Sequence, residues 1–154
     1  MNIELKPIGY VSNDRKEIAD DFWGGVVSSI KIDVEAYGVD CLEGLDTFSH
    51  IEVIFYMNKI DPSKIYTGSR HPRNNPDFPL IGIFAQRVKN RPNLLGLSRC
   101  KILSVNGDTI LVQGLDAIDG TPIIDIKPYM VQFAPIGLIR QPAWADDVMR
   151  DYYR

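Results

Sequence analysis

The sequence predicts a mainly β fold, a single small β-barrel with short helices and a helix at its C-terminus. Three observations lead there. About seven or more short apolar stretches recur along the chain, closely spaced turn signals separate them, and little of the sequence repeats with a helical period. At 154 residues and 45% hydrophobic, the chain matches one domain with a sizeable core, so residues 1–154 are read as one domain. No Gly-x-Gly-x-x-Gly follows a strand and opens a helix, which disfavours a doubly wound nucleotide-binding sheet.

Residues 3–11 alternate loosely around Pro7 and predict a first strand near a sheet edge, which Ser12-Asn13-Asp14-Arg15 leaves as a turn. Ile30, Ile32 and Val34 alternate with Lys31 and Asp33, the pattern of a half-buried strand. Trp23, just upstream, is either a core residue or a face for stacking an adenine ring. Leu42 and Leu45 predict one short helix, and Ile51, Val53, Phe55 and Met57 the next strand, with Ser49 and His50 at its mouth. Residues 58–70 read as a loop around Asp61-Pro62.

Two short apolar runs, Leu80 to Ala85 and Leu94 to Leu97, read as buried strands. Asn106-Gly107 is a strong hairpin turn, with Thr109 to Gln113 as the returning strand. Leu115 to Gly120 is a carboxylate-rich turn, and Thr121 to Ile126 a strand that Pro128 stops. From Pro142 to Arg154, Trp144, Val148 and Tyr152 share one face, and the charges suit the helix dipole. That helix, about 142–154, docks on its own barrel or on a second copy.

Charge narrows the function classes. A net charge of −3 and a pI near 5.3 leave no global basic field, so any nucleic acid must be met by a local patch. Cys41 and Cys100 belong to no metal-ligand spacing, only two histidines are present, and Asp116, Asp119 and Asp125 lack a calcium-loop pattern, so no metal is expected. The N-terminus carries no signal segment and no apolar run nears the ~20 residues of a membrane span, which predicts a cytoplasmic protein.

The candidate site is the stretch from His71 to Ser98. There His71, Arg73, Arg87, Lys89 and Arg91 sit among prolines and glycines that preclude regular helix, so the cations are held by fixed backbone. Such a pattern suits gripping an anion; a solvated basic loop is the plainer alternative.

The blocks His71-Pro72-Arg73, Phe84-Ala85-Gln86-Arg87, Arg91-Pro92-Asn93 leading to Gly96-Leu97-Ser98, Gly114-Leu115-Asp116 and Asp119-Gly120-Thr121-Pro122 through Asp125-Ile126-Lys127-Pro128-Tyr129 occur in that order. With Ile8-Gly9-Tyr10 and Phe48-Ser49-His50, they resemble the TsaA/TrmO-like family. The resemblance implies a small barrel that uses S-adenosyl-L-methionine to methylate N6-threonylcarbamoyladenosine beside the anticodon of tRNA, as a homodimer with a pocket built from two subunits. It places Asn13, Asp14, Arg15, Ser49, His50, Arg87, Leu97, Asp116 and Ile118 on the cofactor, and His71, Arg73, Lys127 and Tyr129 on the substrate or its anionic groups. Asp119 is assigned help in removing the proton from the nucleophilic nitrogen, and Arg91, with Arg87, the holding of carboxylate or phosphate oxygens.

The chain departs from the commonest pattern at Gln86, where relatives often have Thr, at Leu94-Leu95 in place of Pro-Ile, and at Asn74-Asn75 in place of Gly-Asp. Those departures fall on substrate recognition. They leave open a barrel methyltransferase with a non-tRNA substrate, or a non-catalytic module binding an adenine nucleotide or related anion.

Overall fold

Alternating apolar residues give six strands one wet and one dry face, and these strands close on themselves. The computed structural model describes residues 1–154. In chain order the strands are β1 (Gly9–Ser12), β2 (Val27–Ile32), β3 (His50–Tyr56), β4 (Ser69–Arg70), β5 (Ile81–Gly82), β6 (Leu95–Asn106), β7 (Thr109–Gln113) and β8 (Pro122–Pro128). β1, β2, β7, β6, β3 and β8 form a closed barrel in that order, every pairing antiparallel, while β4 and β5 make a separate two-stranded ribbon. Mainly β with a closed barrel is therefore the observed class.

The barrel core consists of the inward residues of each strand. Ile30, Ile51, Val53, Ile110, Val112 and Ile123 are all fully buried. Burial of each such side chain is worth about 1.5–3 kcal/mol, so these strands carry most of the driving force. Gly96 of β6 is required by packing: a Cβ there would stand 2.2 Å from the ring of Phe55 on β3.

Several elements differ from the sequence reading, each for a local reason. The first strand begins only at Gly9, and residues 1–7 are exposed. Val34 is not the end of β2 but the start of a one-turn helix, α1 (Val34–Tyr37), because the Asp33 side chain accepts from the Ala36 N–H and caps it. The predicted helix around Leu42 and Leu45 is a single 3-10 turn, Leu45–Thr47.

The run Leu80 to Ala85 is not a buried strand. Only the two residues of β5 pair, a 3-10 turn Ile83–Ala85 follows, and Leu80 and Phe84 are 63% and 79% exposed. At the hairpin, Asn106 pairs with Thr109, so the turn is Gly107-Asp108, with Gly107 at φ 60.

The C-terminal helix, α2 (Ala143–Met149), is shorter than predicted and follows Pro142 as its cap. The segment that follows it is tied to the loop before β2 of the same chain. The backbone N–H groups of Phe22 and Trp23 donate to the carbonyls of Asp151 (3.0 Å) and Tyr152 (2.8 Å). Gly24 permits the approach, since a Cβ there would lie 2.0 Å from the Tyr153 carbonyl oxygen. No helix is long and apolar enough to cross a membrane.

Candidate functional site

At one end of the barrel, the starts of β6, the end of β3, the proline-rich segments and the C-terminal tail enclose a cavity of about 950 Å³. The proline-rich backbone around it is unusual. Four non-glycine residues take positive φ, Phe22 (67°), Arg73 (53°), Asn74 (56°) and Leu94 (52°), and each lines the cavity or adjoins a residue that does. Conformations this sparsely populated persist only where surrounding contacts enforce them, and they concentrate at ligand sites.

The charge distribution at the cavity is lopsided. Seven of the chain's 17 lysines and arginines line it, among them Arg70, Arg73, Arg87, Lys89 and Arg91, against two of its 20 carboxylates, Asp20 and Asp116. A chain of net charge −3 thus carries a local basic concavity. Its apolar side is aromatic: Trp23, 2% exposed, with Tyr66, Tyr152 and Tyr153.

The expected site residues separate into three groups. Arg87, Arg91, Leu97, Asp116 and Ile118 line the cavity together. Arg87 Nη2 donates to the Leu97 carbonyl at 2.8 Å and Arg91 Nη1 to the Gln86 carbonyl at 3.1 Å, so both guanidinium groups are tethered to backbone rather than to carboxylates. Asp116 accepts hydrogen bonds from the Ser98 and Tyr152 hydroxyls. Burial beside that carboxylate drives the Tyr152 phenol far above its ordinary value, so it stays a neutral donor.

The second group supports the cavity, and of its members only Arg73 also lines it. Asn13 is buried, and its Nδ2 donates to Ser28 Oγ and to the Ala117 carbonyl, both at 2.8 Å, which fixes the Asp116–Ile118 wall. Arg15 donates to the carbonyls of Phe22 and Asp21 and lies 4.2 Å over the Trp23 ring, while Asp14 is exposed. Arg73 lines the cavity but is held by Asp21 through two hydrogen bonds of 2.6 and 2.9 Å, and by the Val148 carbonyl at 2.7 Å. That guanidinium lowers the Asp21 carboxyl below its usual range. It is a strut between loops, not a free anion hook.

His71 is likewise structural, its Nδ1 2.7 Å from the Phe78 carbonyl. A carbonyl only accepts, so Nδ1 carries the proton.

Asp119 departs from its expected place as a base. Its carboxylate is 2.8 Å from Lys16 Nζ and accepts from the Asn13 N–H at 3.1 Å, and it does not line the cavity. The Lys16 contact first, then the Asn13 N–H, holds its carboxyl below the ordinary range, which makes it a poorer proton acceptor.

The third group lies at the opposite end of the barrel. His50 pairs with Lys101, five residues along β3 from the cavity-lining Phe55, a separation of about 17 Å at strand rise. Ser49 sits beside His50, their side chains 2.8 Å apart, and both are exposed. Lys127 pairs with Asp125 at 2.6 Å, and Tyr129 lies under Arg99 with its N–H on the His50 carbonyl. Within the chain these four do not share a pocket with Arg87 and Asp116.

Three cavity residues escaped the sequence reading in these roles. Arg70 falls inside the predicted loop 58–70, although it adjoins the His-Pro-Arg block. The sequence leaves Trp23 open between core and stacking; it is buried and lines the cavity. Tyr152, assigned only to docking, also supplies the hydroxyl on Asp116.

Residues 21–134 match the family model for the tRNA-methyltransferase O N-terminal domain, the larger part of the chain. The chain belongs to the TrmO N-terminal domain family. A relative from Methanothermobacter thermautotrophicus, described as a probable S-adenosyl-L-methionine-binding protein, is 32% identical over 139 residues, covering 89% of this chain and 97% of the relative. The mouse tRNA (adenine(37)-N6)-methyltransferase is 37% identical over 92 residues, 60% of this chain but 21% of the enzyme. The crystal structure of TrmO from Pseudomonas aeruginosa superposes with a TM-score of 0.73 at 25% identity, over 94% of this chain and 62% of the TrmO chain. Both β1 and α2 fall outside the stretch matched to the TrmO model, so Tyr152 is a cavity wall the family match does not include.

Proposed function

We propose that the chain is an S-adenosyl-L-methionine-dependent methyltransferase acting on the N6 nitrogen of a modified adenosine, N6-threonylcarbamoyladenosine, in the anticodon loop of tRNA. The observation that carries this reading is the basic, aromatic-walled cavity in a chain of net negative charge. Aromatic faces accept purine rings and a sulfonium cation, and arginines accept phosphate or carboxylate. A volume of about 950 Å³ accommodates a nucleoside cofactor beside a flipped base.

Trp23, Tyr152, Asp116, Arg87 and the backbone at Leu97 and Ile118 would hold the cofactor. When bound, it supplies a methyl group already activated by positive sulfur. The protein's residues are left to position the base and exclude water. Methylation releases the nitrogen's proton, and Asp116, the cavity carboxylate that no lysine or arginine pairs with, replaces Asp119 as the acceptor in this reading. Arg91 and Arg87 hold oxygens of the substrate.

The same reading makes the protein a single cytoplasmic domain that works as a homodimer. Two features support the pair. Ser49 and His50 reach a cofactor only if a second copy brings them to the cavity, since their own lies about 17 Å away. An apolar arm, Val131 to Ile139, stands in solvent with Ile136 and Leu138 each 102% exposed, a surface that a second copy covers.

The test is to incubate the protein with S-adenosyl-L-methionine and anticodon stem-loop RNA carrying the threonylcarbamoyl group. Nucleoside mass spectrometry should find the modified adenosine one methyl group heavier. An unchanged nucleoside, with the cofactor bound by calorimetry, removes this substrate; an elution volume of a monomer removes the shared site.

A further inference from the structure

Arg70 is the chain's buried arginine, only 9% exposed, and it lines the cavity. Buried charges in proteins are ordinarily paired, because desolvating an ion without a partner costs several kcal/mol. Yet no carboxylate touches Arg70. Its Nε and Nη1 are buried without a hydrogen bond, and Nη2 donates only to the neutral Asn74 Oδ1, at 2.6 Å. The guanidinium carbon lies 3.8 Å from the centre of the Tyr66 ring, which fixes its plane from one side.

The scaffold holding this group is also built. Gln86, buried, donates its Nε2 to the Arg70 carbonyl at 2.9 Å and to the Ile81 carbonyl at 3.0 Å, bracing the β4–β5 ribbon. The Gln86 carbonyl in turn accepts from Arg91. Asn74, by contrast, is exposed, so its amide oxygen can exchange the guanidinium for water when a stronger acceptor arrives.

From these contacts we infer that Arg70 is a receptor for an oxyanion of the substrate, which displaces the Asn74 amide oxygen from the guanidinium. The exchange replaces a neutral acceptor by a charged one, roughly doubling the strength of the hydrogen bond, and supplies the missing counter-charge. Gln86, where relatives often have Thr, belongs to this receptor as its brace. The oxyanion is a carboxylate on the modified base or a phosphate of the nucleotide. This inference rests on the proposed function for the identity of the substrate, not for the existence of the receptor.

The experiment measures binding by calorimetry, without methyl transfer, for wild type, Arg70→Met and Asn74→Asp. The probes are N6-threonylcarbamoyladenosine against its methyl ester, and adenosine 5′-monophosphate against adenosine. Wild type should prefer one of the charged probes over its neutral counterpart by at least about tenfold, a difference the size of one charge-assisted hydrogen bond. The preference identifies the source of the anion, and it should vanish in Arg70→Met. Asn74→Asp, an exposed substitution with little folding risk, should abolish it too, by pairing Arg70 internally.

A structural role for Arg70 is separated by melting temperature. Removal of an uncompensated buried charge should leave it unchanged or raise it. Absence of any preference in wild type, or its survival in Arg70→Met and Asn74→Asp, overturns the inference. Methylation by wild type with an Arg70-independent preference overturns the receptor alone. An Arg70-dependent preference without methylation supports the receptor and overturns only the proposed reaction.

Discussion

The barrel wall and the mouth of the cavity are made on opposite terms. In the wall, the interior is apolar and regular, with Ile51, Val53, Ile110 and Val112 fully buried on paired strands. At the mouth, the backbone is held in positive φ at Phe22, Arg73, Asn74 and Leu94, and Arg70, Arg87 and Arg91 have no carboxylate partner. The wall spends its residues on stability. The mouth retains strain and unneutralised charge, the costs usually found where a ligand completes the structure.

Substitutions sharpen that contrast. In the wall, Ile51→Ala should cost about 2–5 kcal/mol, read as a lower urea midpoint at unchanged slope. At the mouth, Leu94→Pro should cost about 3 kcal/mol in the same assay, because proline holds φ near −65° and lacks the N–H that Leu94 gives to the Arg91 carbonyl. Full stability in that variant would show that the loop readily takes the commoner family sequence.

A smaller effect separates two carboxylates of one turn. Asp116→Asn should lower single-turnover methylation by about 10²-fold and also lower the urea midpoint, because one of the two oxygens that accept from Ser98 and Tyr152 becomes a donor. Asp119→Asn should leave the chemical step near wild type while loosening the tie to Lys16 and Asn13. The reverse pattern would return the proton-accepting role to Asp119.

The smallest effect concerns pH. The Asp21 carboxyl titrates below its ordinary 3.8 when folded, held down chiefly by its hydrogen bonds to Arg73. Its contribution to stability is therefore complete above that value and is lost as pH falls through the lower folded pKa. Asp21→Asn should flatten the acid end of a stability profile recorded from about pH 5 to pH 2.

The same contrast explains what the sequence made legible. The wall was readable because alternation at Ile51, Val53 and Phe55, and the Asn-Gly signal at 106–107, are local patterns with a physical period. Even there, the turn moved by one residue, since Gly107 rather than Asn106 takes the first loop position.

The mouth was only half readable. Motif words found Arg87, Arg91, Leu97 and Asp116, and all four line the cavity. Nothing local distinguishes Arg73 from Arg91, because the partner that ties down Arg73 is Asp21, 52 residues away in the chain. Short apolar runs misled for a related reason: Leu80 to Ala85 has no alternation to say which residues face water, and most of that rim does.

The closure of the cylinder has a kinetic consequence. β1 meets β8 through two register pairs, Gly9 with Ile123 and Tyr10 with Pro122, whereas β3 shares seven with β6. Proline has no N–H to give, so the seam depends on bonds such as Ile8 to Ile123 and Val11 to Thr121. It joins residues more than a hundred positions apart, the pairing with the largest loop entropy to overcome, and should zip last in folding. In deuterium exchange, the amides of Val11 and Ile8 should therefore open before those of Val53 and Cys100, and the barrel should unroll along that line.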